Sequence, residues 1–252
     1  RGCRFNRGRV LRKLVDAGAQ AIGDPTQCHA VAIDARAPLF DGGIVTRVDC
    51  VSLGIVVNTA GHRFYDEGED FWPKRYAIWG RLVAKQPGQL AWSVIDSQAQ
   101  GRFMPPVFPG EEAESLPELA QKMQVPVDQF VKTVQNYNDA VVPGQFNHAV
   151  LDNCHTEGLS PAKTHWAMRI EKPPFKAYPL RPGITFTYLG VKVDQRAQVL
   201  GFDNVLAAGE IMAGNVLGQG YVAGIGMTIG TIFGRIAGAQ AASHALGGKV
   251  QI

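Results

Sequence analysis

The stretch Val205-Leu-Ala-Ala-Gly-Glu210, followed by a glycine-spaced segment from Gly214 to Gly238, decides the fold of this chain. The small apolar residues before Gly-Glu predict a strand that delivers a carboxylate at its carboxyl end. In open α/β sheets such a carboxylate accepts hydrogen bonds from the two hydroxyls of a ribose. The helix that follows exposes free N–H groups at its start, which suit a phosphate or the electron-rich edge of a flavin. The segment therefore predicts a site for a redox cofactor.

Glycine recurs at every fourth position of the predicted C-terminal helix. Gly226, Gly230, Gly234 and Gly238 therefore lie on one face of it. A glycine inside a helix costs about 1 kcal/mol relative to alanine, so this face predicts close packing against a sheet or a ring system. Dimer faces of membrane helices show the same spacing, but Arg235 and the interrupted apolar run argue against a membrane helix.

The segment Gly218-Gln-Gly220-Tyr-Val-Ala223 matches the dinucleotide-binding pattern G-x-G-x-x-A. That pattern needs a strand that ends directly before it and an acidic residue about twenty positions later. Here the predicted strand ends near residue 208, and no acidic residue follows the glycines. We therefore do not interpret this segment as a Rossmann phosphate loop.

Composition and charge exclude several classes of protein. The 252 residues carry a net charge of +3, and the basic run from Arg4 to Lys13 is typical of a solvated helix face, so nucleic acid is not an expected partner. No apolar run is long enough to span a bilayer. The cysteines lack metal-ligand spacing, which predicts no metal site and a reduced, cytoplasmic protein. They are Cys3, Cys28, Cys50 and Cys154.

The spacing of apolar residues predicts an α/β fold at both ends of the chain and an α+β section between them. The most economical arrangement places both ends in one domain and inserts the middle section as a second domain. Ser115-Leu-Pro-Glu118 has the outline of a capping box and predicts the start of a helix. The predicted helices cover 8–18, 116–123, 127–140 and 225–246, and the predicted strands cover 28–34, 54–58, 90–96, 175–180, 184–193 and a short stretch at Val205.

Charged residues cluster after a glycine turn, in Arg63-Phe-Tyr-Asp-Glu67. Taken alone, this cluster predicts a surface salt bridge beside a hairpin. Arg102 precedes a proline-rich break and, taken alone, is an ordinary loop arginine. His29 lies within an apolar strand, which is more typical of a buried core histidine than of a catalyst.

Five segments, in order along the chain, resemble the fumarate reductase/succinate dehydrogenase flavoprotein family. They are Asp16-Ala-Gly-Ala19 to Gln27-Cys-His29, Val57-Asn-x-x-Gly-x-Arg-Phe-x-Asp-Glu67, Gln124-Val-Pro-Val to Thr133-Val-Gln-Asn-Tyr-Asn138, Pro173-Pro-Phe to Pro182-Gly-Ile-Thr185, and Ala208-Gly-Glu210 to Phe233-Gly-Arg-Ile-Ala-Gly238. Within that family, three further segments look most like the FAD-dependent tricarballylate dehydrogenases. They are Phe71-Trp-Pro-Lys-Arg75, Arg102-Phe-Met-Pro-Pro-Val-Phe-Pro109 and Gly183-Ile-Thr-Phe-Thr-Tyr-Leu-Gly190.

The resemblance implies a partial FAD-binding (Rossmann-type) domain with an inserted α+β capping domain. Residues 1–38 and 173–252 would form the FAD-binding part and residues 39–172 the capping, substrate-binding part. The family's N-terminal G-x-G-x-x-G half has no counterpart here, so we expect a fragment that is inactive by itself. FAD is the implied cofactor, and a small polycarboxylate the implied substrate. A membrane-associated electron-acceptor protein is the implied partner, which leaves open a location peripheral to the inner membrane.

The resemblance also implies roles for individual residues. Glu210, after Gly209, would bind the FAD ribose, and the backbone N–H groups of Gly224, Ile225, Gly226 and Met227 would face the flavin. Arg102 would be the acid/base, supplied through the carboxylate–arginine relay of Glu67 and Arg63. The family's substrate-binding histidine falls near Phe186, beside Thr187, and its carboxylate-clamping arginine near Tyr221. These two departures put succinate or fumarate as the substrate in doubt.

Two other functions stay open at this point. Phe186 and Tyr221 favour a larger ring substrate, such as a ketosteroid or a corrinoid precursor, because flavin ketosteroid dehydrogenases use a tyrosine to polarise a ketone. The absence of a phosphate loop favours an isolated cap-like module that binds small acids without redox chemistry.

Overall fold

A computed structural model describes residues 2–247 and divides them into two compact units. The first unit comprises residue 2 and residues 30–183, and the second comprises residues 3–29 and 184–247. The helices are α1 (Arg9–Asp16), α2 (Trp72–Arg75), α3 (Trp79–Ala84), α4 (Leu116–Met123), α5 (Val127–Ala140) and α6 (Ile225–Ala245). The strands are β1 (Ala21–Ile22), β2 (Cys28–Asp34), β3 (Ile55–Asn58), β4 (Ala91–Ile95), β5 (Glu111–Ala113), β6 (Val141–Val142), β7 (His155–Thr156), β8 (Phe175–Thr187) and β9 (Gly190–Val191).

The first unit is built on one sheet with the strand order β2-β8-β4-β3, in which β5 also pairs with β8. β3, β4 and β8 pair antiparallel, with Val94 opposite both Ile55 and Ala177. Alternate side chains of a strand point to opposite faces, and both faces of this sheet are covered. Ile55 belongs to the cluster that α4 and α5 complete, whereas Val56 belongs to the cluster around Trp79 of α3.

The second unit is smaller and combines residues 3–29 with residues 184–247. β1 and β9 form a short antiparallel pair, and α1 packs beside them through Leu11 and Leu14. A 3-10 helix covers Gly209–Asn215, and α6 follows it. No helix among residues 2–247 has the length and apolar character needed to cross a membrane. No disulfide joins the cysteines among residues 2–247.

The prediction of a mixed α/β fold is confirmed, and most predicted elements lie within two or three residues of their expected bounds. The Ser115 N-cap predicted at α4 is present, because the Glu118 N–H donates to Ser115 Oγ at 3.3 Å. His29 is buried, as expected of a core histidine, with 3% of its surface exposed. The two predicted extended segments after residue 175 differ from the observed pattern, because the first continues unbroken as β8 to Thr187.

The strand predicted at Val205 is wrong. In this region Leu206 makes only an isolated antiparallel bridge with Gln198, and Gly209 then starts the 3-10 helix. A strand requires a neighbouring strand along its length, and among the described residues only Gln198 pairs there. Apolar residues predict burial in this segment, but they do not identify a pairing partner.

The expected close packing of the glycine face of α6 is absent from the described part of the chain. A Cβ atom added to Gly230, Gly234 or Gly238 would have no described atom of another element within 4 Å. Only Gly226 is confined, by Tyr221 and Phe186, and Ile229 is the buried residue of the helix. The four-residue spacing determines which positions share a face, but not what covers that face.

Candidate cofactor and catalytic sites

Glu210 lines a cavity of about 310 Å³ in the second unit. Its Oε1 atom accepts hydrogen bonds from the N–H and the hydroxyl of Thr187, both at 2.8 Å, and its Oε2 atom lies 3.4 Å from Asn6 Nδ2. Gly209, with φ +80°, occupies the left-handed region that a side chain would disfavour. Thr187, predicted as a substrate ligand, therefore contacts the predicted ribose ligand instead.

The segment Asn6–Arg9 lines the same cavity and was missed in the sequence. Gly8 is the residue before α1, with φ +65°, and Arg7 and Arg9 flank it. Two arginines beside a helix N-terminus suit an anion such as a phosphate. The available signal was the combination of Gly8 with two arginines directly before a predicted helix. The same residues had been interpreted as a solvated helix face.

Tyr221 caps the N-terminus of α6. The N–H of Gly226 donates to Tyr221 Oη at 2.8 Å, and Gly224 adopts φ +90° before the helix. The Tyr221 ring also lies 5.7 Å from the Phe186 ring and 4.0 Å from the His29 ring, measured between centroids. Ile225 is half-buried, whereas Met227 is 80% exposed. Tyr221 and Phe186 thus lie together at the start of α6, beside the four residues that were predicted to face the flavin, Gly224 to Met227.

Arg63 and Glu67 form a buried ion pair in the first unit. Arg63 donates from Nη2 and Nε to the two carboxylate oxygens at 2.5 and 3.1 Å, and the Val56 N–H donates to Glu67 Oε1 at 2.7 Å. The side chains are 4% and 0% exposed, so the expected surface salt bridge is wrong. Burial opposes the charge of Arg63, but attraction to Glu67 outweighs it and raises the pKa of Arg63.

Arg102 makes no contact with this ion pair in the described part of the chain. Its guanidinium is exposed and lies over the Phe146 ring, 4.9 Å from the ring centroid. Among the described residues, no carboxylate pairs with Arg102, and the hydrogen bonds of Glu67 come from Arg63 and Val56 instead. The structure therefore brings Arg63 and Glu67 together, but it shows no contact between Glu67 and Arg102.

Lys163 is a buried charge that the sequence did not reveal. Its side chain is fully buried, and Nζ donates to the carbonyl oxygens of Ser52 and Gly54. Burial lowers the pKa of Lys163 to about 8. Ser52 also contacts His148, with 3.0 Å between Oγ and Nε2. Lys163 lies in a segment without periodicity, so no pattern in the sequence indicated its burial.

Residues 2–247 contain no cluster of histidine, cysteine, aspartate and glutamate that could hold an ion. The groups described above are the Glu210 carboxylate, the N–H groups at the start of α6, and Arg102, which has no carboxylate partner among the described residues.

The Glu210 cavity and the start of α6 are features typical of a cofactor-binding protein. Comparison of the sequence with models of known families identifies which family of such proteins this is. Residues 4–227 match the FAD_binding_2 model, described as an FAD binding domain. The chain therefore belongs to this family of FAD-binding domains, within the fumarate reductase/succinate dehydrogenase flavoproteins, and its cofactor is FAD.

The relatives of this chain are named as reductases, oxidoreductases and dehydrogenases. It is 30% identical over 205 residues to a probable fumarate reductase, Ifc3, of Shewanella frigidimarina (strain NCIMB 400), over 76% of this chain and 31% of that protein. It is 28% identical over 225 residues to a 3-oxosteroid 1-dehydrogenase of Mycolicibacterium smegmatis (strain ATCC 700084 / mc(2)155), over 76% of this chain and 38% of that protein. The chain thus spans only 31% and 38% of the length of these two relatives.

The fold is similar to a solved structure, the open conformation of a flavocytochrome c3 fumarate reductase. The TM-score is 0.65, with 24% identity, over 95% of this chain and 40% of that chain.

The residues around Glu210 fit FAD in their chemistry. A carboxylate accepts from ribose hydroxyls, and the cations Arg7 and Arg9 match a pyrophosphate.

Proposed function

We propose that this chain contributes to a flavin-dependent oxidoreductase that dehydrogenates a CH–CH bond of a small polycarboxylate such as tricarballylate. One observation carries the choice of substrate: Arg102 presents an exposed guanidinium without a carboxylate partner among the described residues. Such a guanidinium has its planar N–H donors available for a substrate carboxylate or for proton exchange. The family membership supports the redox chemistry.

In this proposal the chain's own residues bind the substrate and move a proton. FAD, when bound, accepts the hydride from one substrate carbon. A guanidine nitrogen of Arg102 takes the proton from the neighbouring carbon. Arg102 then gives up this proton toward the proposed relay of Glu67 and Arg63, which form a buried ion pair in the same unit. As the electron acceptor for this reaction we propose a membrane-associated protein partner.

Cofactor binding is assigned to the second unit. Glu210, supported by Thr187, holds the ribose, and Gly209 allows the turn that presents it. At the start of α6 the N–H groups of Ile225 and Gly226 donate to Val222 O and Tyr221 Oη, so it is the N–H groups of Gly224 and Met227 that we assign to the flavin, where they would stabilise negative charge. We assign 39–172 to a capping domain and 1–38 with 173–252 to the FAD-binding domain. The compact units change at residues 30 and 184, near these boundaries.

A ring substrate is the second candidate. The specific observation in its favour is the aromatic group of Tyr221, Phe186 and His29 beside the α6 N-terminus. Aromatic faces suit an apolar ring system, and a tyrosine hydroxyl can polarise a ketone. One relative is named a 3-oxosteroid 1-dehydrogenase. A screen of tricarballylate against a 3-ketosteroid, with a dye as electron acceptor, separates the two candidates.

Cofactor binding is tested first, by titrating FAD into the purified chain and following flavin absorbance and fluorescence. We expect binding that Glu210→Ala weakens at least tenfold, because the variant removes the ribose acceptor. Glu114→Ala, at an exposed carboxylate in the other unit, is the matched control and is expected to bind FAD normally. Equal affinity of Glu210→Ala and the wild type would refute the assigned ribose site.

A further inference from the structure

Arg102, Phe146 and His148 form a stack in the first unit. The Arg102 guanidinium lies 4.9 Å from the Phe146 centroid, and the Phe146 and His148 rings stack at 6.4 Å with 10° between their planes. We propose that Phe146 is a positioning residue that holds the Arg102 guanidinium in place for the substrate. This inference rests on the proposed function, in which Arg102 is the acid/base.

The pairing of Arg102 differs from that of the other cations that lie over aromatic rings in the described residues. Each of those cations also has a carboxylate partner. They are Arg36 over Phe108 with Asp34, Arg47 over Tyr76 with Asp49, Arg63 over Tyr137 with Glu67, and Lys74 over Phe71 with Asp70. Arg102 has the ring alone. The ring is therefore the contact that orients this guanidinium.

An aromatic ring and a carboxylate affect the N–H donors of a neighbouring arginine differently. A carboxylate partner occupies N–H donors and favours the charged arginine, as the hydrogen bonds to Asp34 and Asp49 raise the pKa values of Arg36 and Arg47. A ring face attracts the guanidinium through its quadrupole and leaves the N–H donors free. Phe146 thus fixes Arg102 without competing with a substrate carboxylate.

Phe146 is itself held firmly enough to position another group. It is half-buried and packs against the core cluster that contains Tyr178 and Leu180. It also stacks on His148, which is bound to Ser52 at 3.0 Å and lies edge-on to the buried Trp166 at 5.1 Å. The ring therefore has contacts that are independent of Arg102.

The charges around His148 favour the same arrangement. The groups that act on it are Lys163, Asp152 and Arg102, and burial together with the two cations outweighs Asp152 and lowers the pKa of His148. A neutral imidazole stacked on Phe146 adds no positive charge beside Arg102 at neutral pH. Repulsion within the stack is thereby avoided.

The backbone of Arg102 is also anchored on both sides. Its N–H donates to Ala99 O at 3.2 Å, and Phe103 contacts Tyr178 edge-on at 6.2 Å. The freedom that remains is in the long side chain, and this is the freedom that the Phe146 ring removes. Loss of the ring is therefore expected to affect turnover more than folding.

The test compares Phe146→Leu with Phe146→Trp in the polypeptide as it occurs in the cell, loaded with FAD, using tricarballylate and a dye acceptor. We expect Phe146→Leu to lower kcat/KM about tenfold and Phe146→Trp to retain most of it, because tryptophan keeps a ring face. Phe108→Leu is the matched control. It removes the ring under Arg36, which Asp34 still holds, and is expected to leave kcat/KM unchanged. Equal kcat/KM for wild type and Phe146→Leu would overturn the proposal.

A second experiment separates positioning from packing. Arg102→Ala is assayed with added guanidinium ion, which we expect to restore part of the turnover by binding over the Phe146 ring. The double variant Arg102→Ala/Phe146→Leu is expected to lose this rescue at least fivefold. Equal rescue in both variants would overturn the positioning role alone. Near-normal turnover of Arg102→Ala without guanidinium would instead refute the proposed function. Flavin absorbance reports whether each variant remains folded and loaded.

Discussion

Glu210 accepts two hydrogen bonds from a single residue, since the backbone N–H and the hydroxyl of Thr187 both lie 2.8 Å from its Oε1 atom. This arrangement fixes the carboxylate at the wall of the cavity and leaves Oε2 with the longer contact, 3.4 Å, to Asn6. A ribose ligand has to be fixed in place before the cofactor arrives, because ordering it on binding would reduce affinity. In the cofactor site that we propose, Thr187 would therefore act on FAD through Glu210.

Thr187→Val keeps the backbone N–H and the side-chain shape but removes the hydroxyl donor. We expect the Kd for FAD to rise about fivefold, since a hydrogen bond to a charged group contributes roughly 1 kcal/mol or more. Calorimetric or fluorescence titration with FAD measures the change. Thr133→Val is the control, because it removes a hydroxyl bonded to Gly61 O in the other unit. An unchanged Kd for Thr187→Val would show that the backbone N–H suffices.

Glu67→Gln is expected to destabilise the first unit by about 3 to 5 kcal/mol. The substitution keeps the side-chain volume but leaves the buried Arg63 guanidinium without its counter-charge. Urea denaturation, followed by tryptophan fluorescence, gives the free energy of unfolding. The control is Glu118→Gln, which removes one partner of the exposed pair with Lys122 and should leave that free energy unchanged. A small effect at Glu67 would indicate that the pair adds little net stability.

Lys163 makes the free energy of unfolding of the first unit depend on pH in the alkaline range. Its pKa is lowered to about 8 by burial, whereas an unfolded chain keeps it near 10.5. Between these values the unfolded chain binds more protons, so the free energy of unfolding rises with pH. Below pH 8 the ammonium is charged in both states, and the folded chain bears the full cost of burying it.

From pH 8 to pH 10 we therefore expect the free energy of unfolding of the wild type to rise by about 2 kcal/mol relative to that of Lys163→Met. Urea denaturation at several pH values measures it, with Lys122→Met as the exposed control. Parallel stability curves for wild type and Lys163→Met would contradict a shifted titration of Lys163.

The sequence was sufficient where a local pattern sets the structure. The apolar stripe of Val127–Ala140 and the Ser115 cap of α4 each follow from residues three or four positions apart. Glu210 as the ribose ligand follows from the resemblance as well as from the Gly-Glu sequence and stays a prediction, and Glu210 lines the cavity of about 310 Å³. These features depend on near neighbours in the chain.

Other features depend on partners that are distant in the sequence. The burial of Arg63 and Glu67 is completed by the carbonyl groups of Pro161 and Ala162. Lys163 donates hydrogen bonds to the carbonyl groups of Ser52 and Gly54. Arg102 lies over the ring of Phe146, a residue in a segment without periodicity. No spacing rule joins such pairs, so composition and periodicity could not reveal them.

Tyr221→Phe distinguishes the two candidate substrates. The Tyr221 oxygen accepts from the Gly226 N–H at 2.8 Å, which leaves its own proton available to a ligand carbonyl. If a ring ketone is the substrate, the variant should lower turnover of a 3-ketosteroid about 10²-fold or more, because one aligned donor to a developing oxyanion contributes that much. If a polycarboxylate is the substrate, its turnover should fall less than about fivefold, since Arg102 carries the proton.

Dye-coupled turnover of the FAD-loaded polypeptide, with both substrates, gives the answer. Tyr188→Phe is the control, because the Tyr188 hydroxyl donates to Gly220 O and supports the same segment without facing the α6 N-terminus. Equal losses in the two variants would mean that the segment has shifted and that Tyr221 has no separate role. Wild-type turnover of the steroid that exceeds turnover of tricarballylate, and that is lost only in Tyr221→Phe, would replace the polycarboxylate proposal with the ring-substrate alternative.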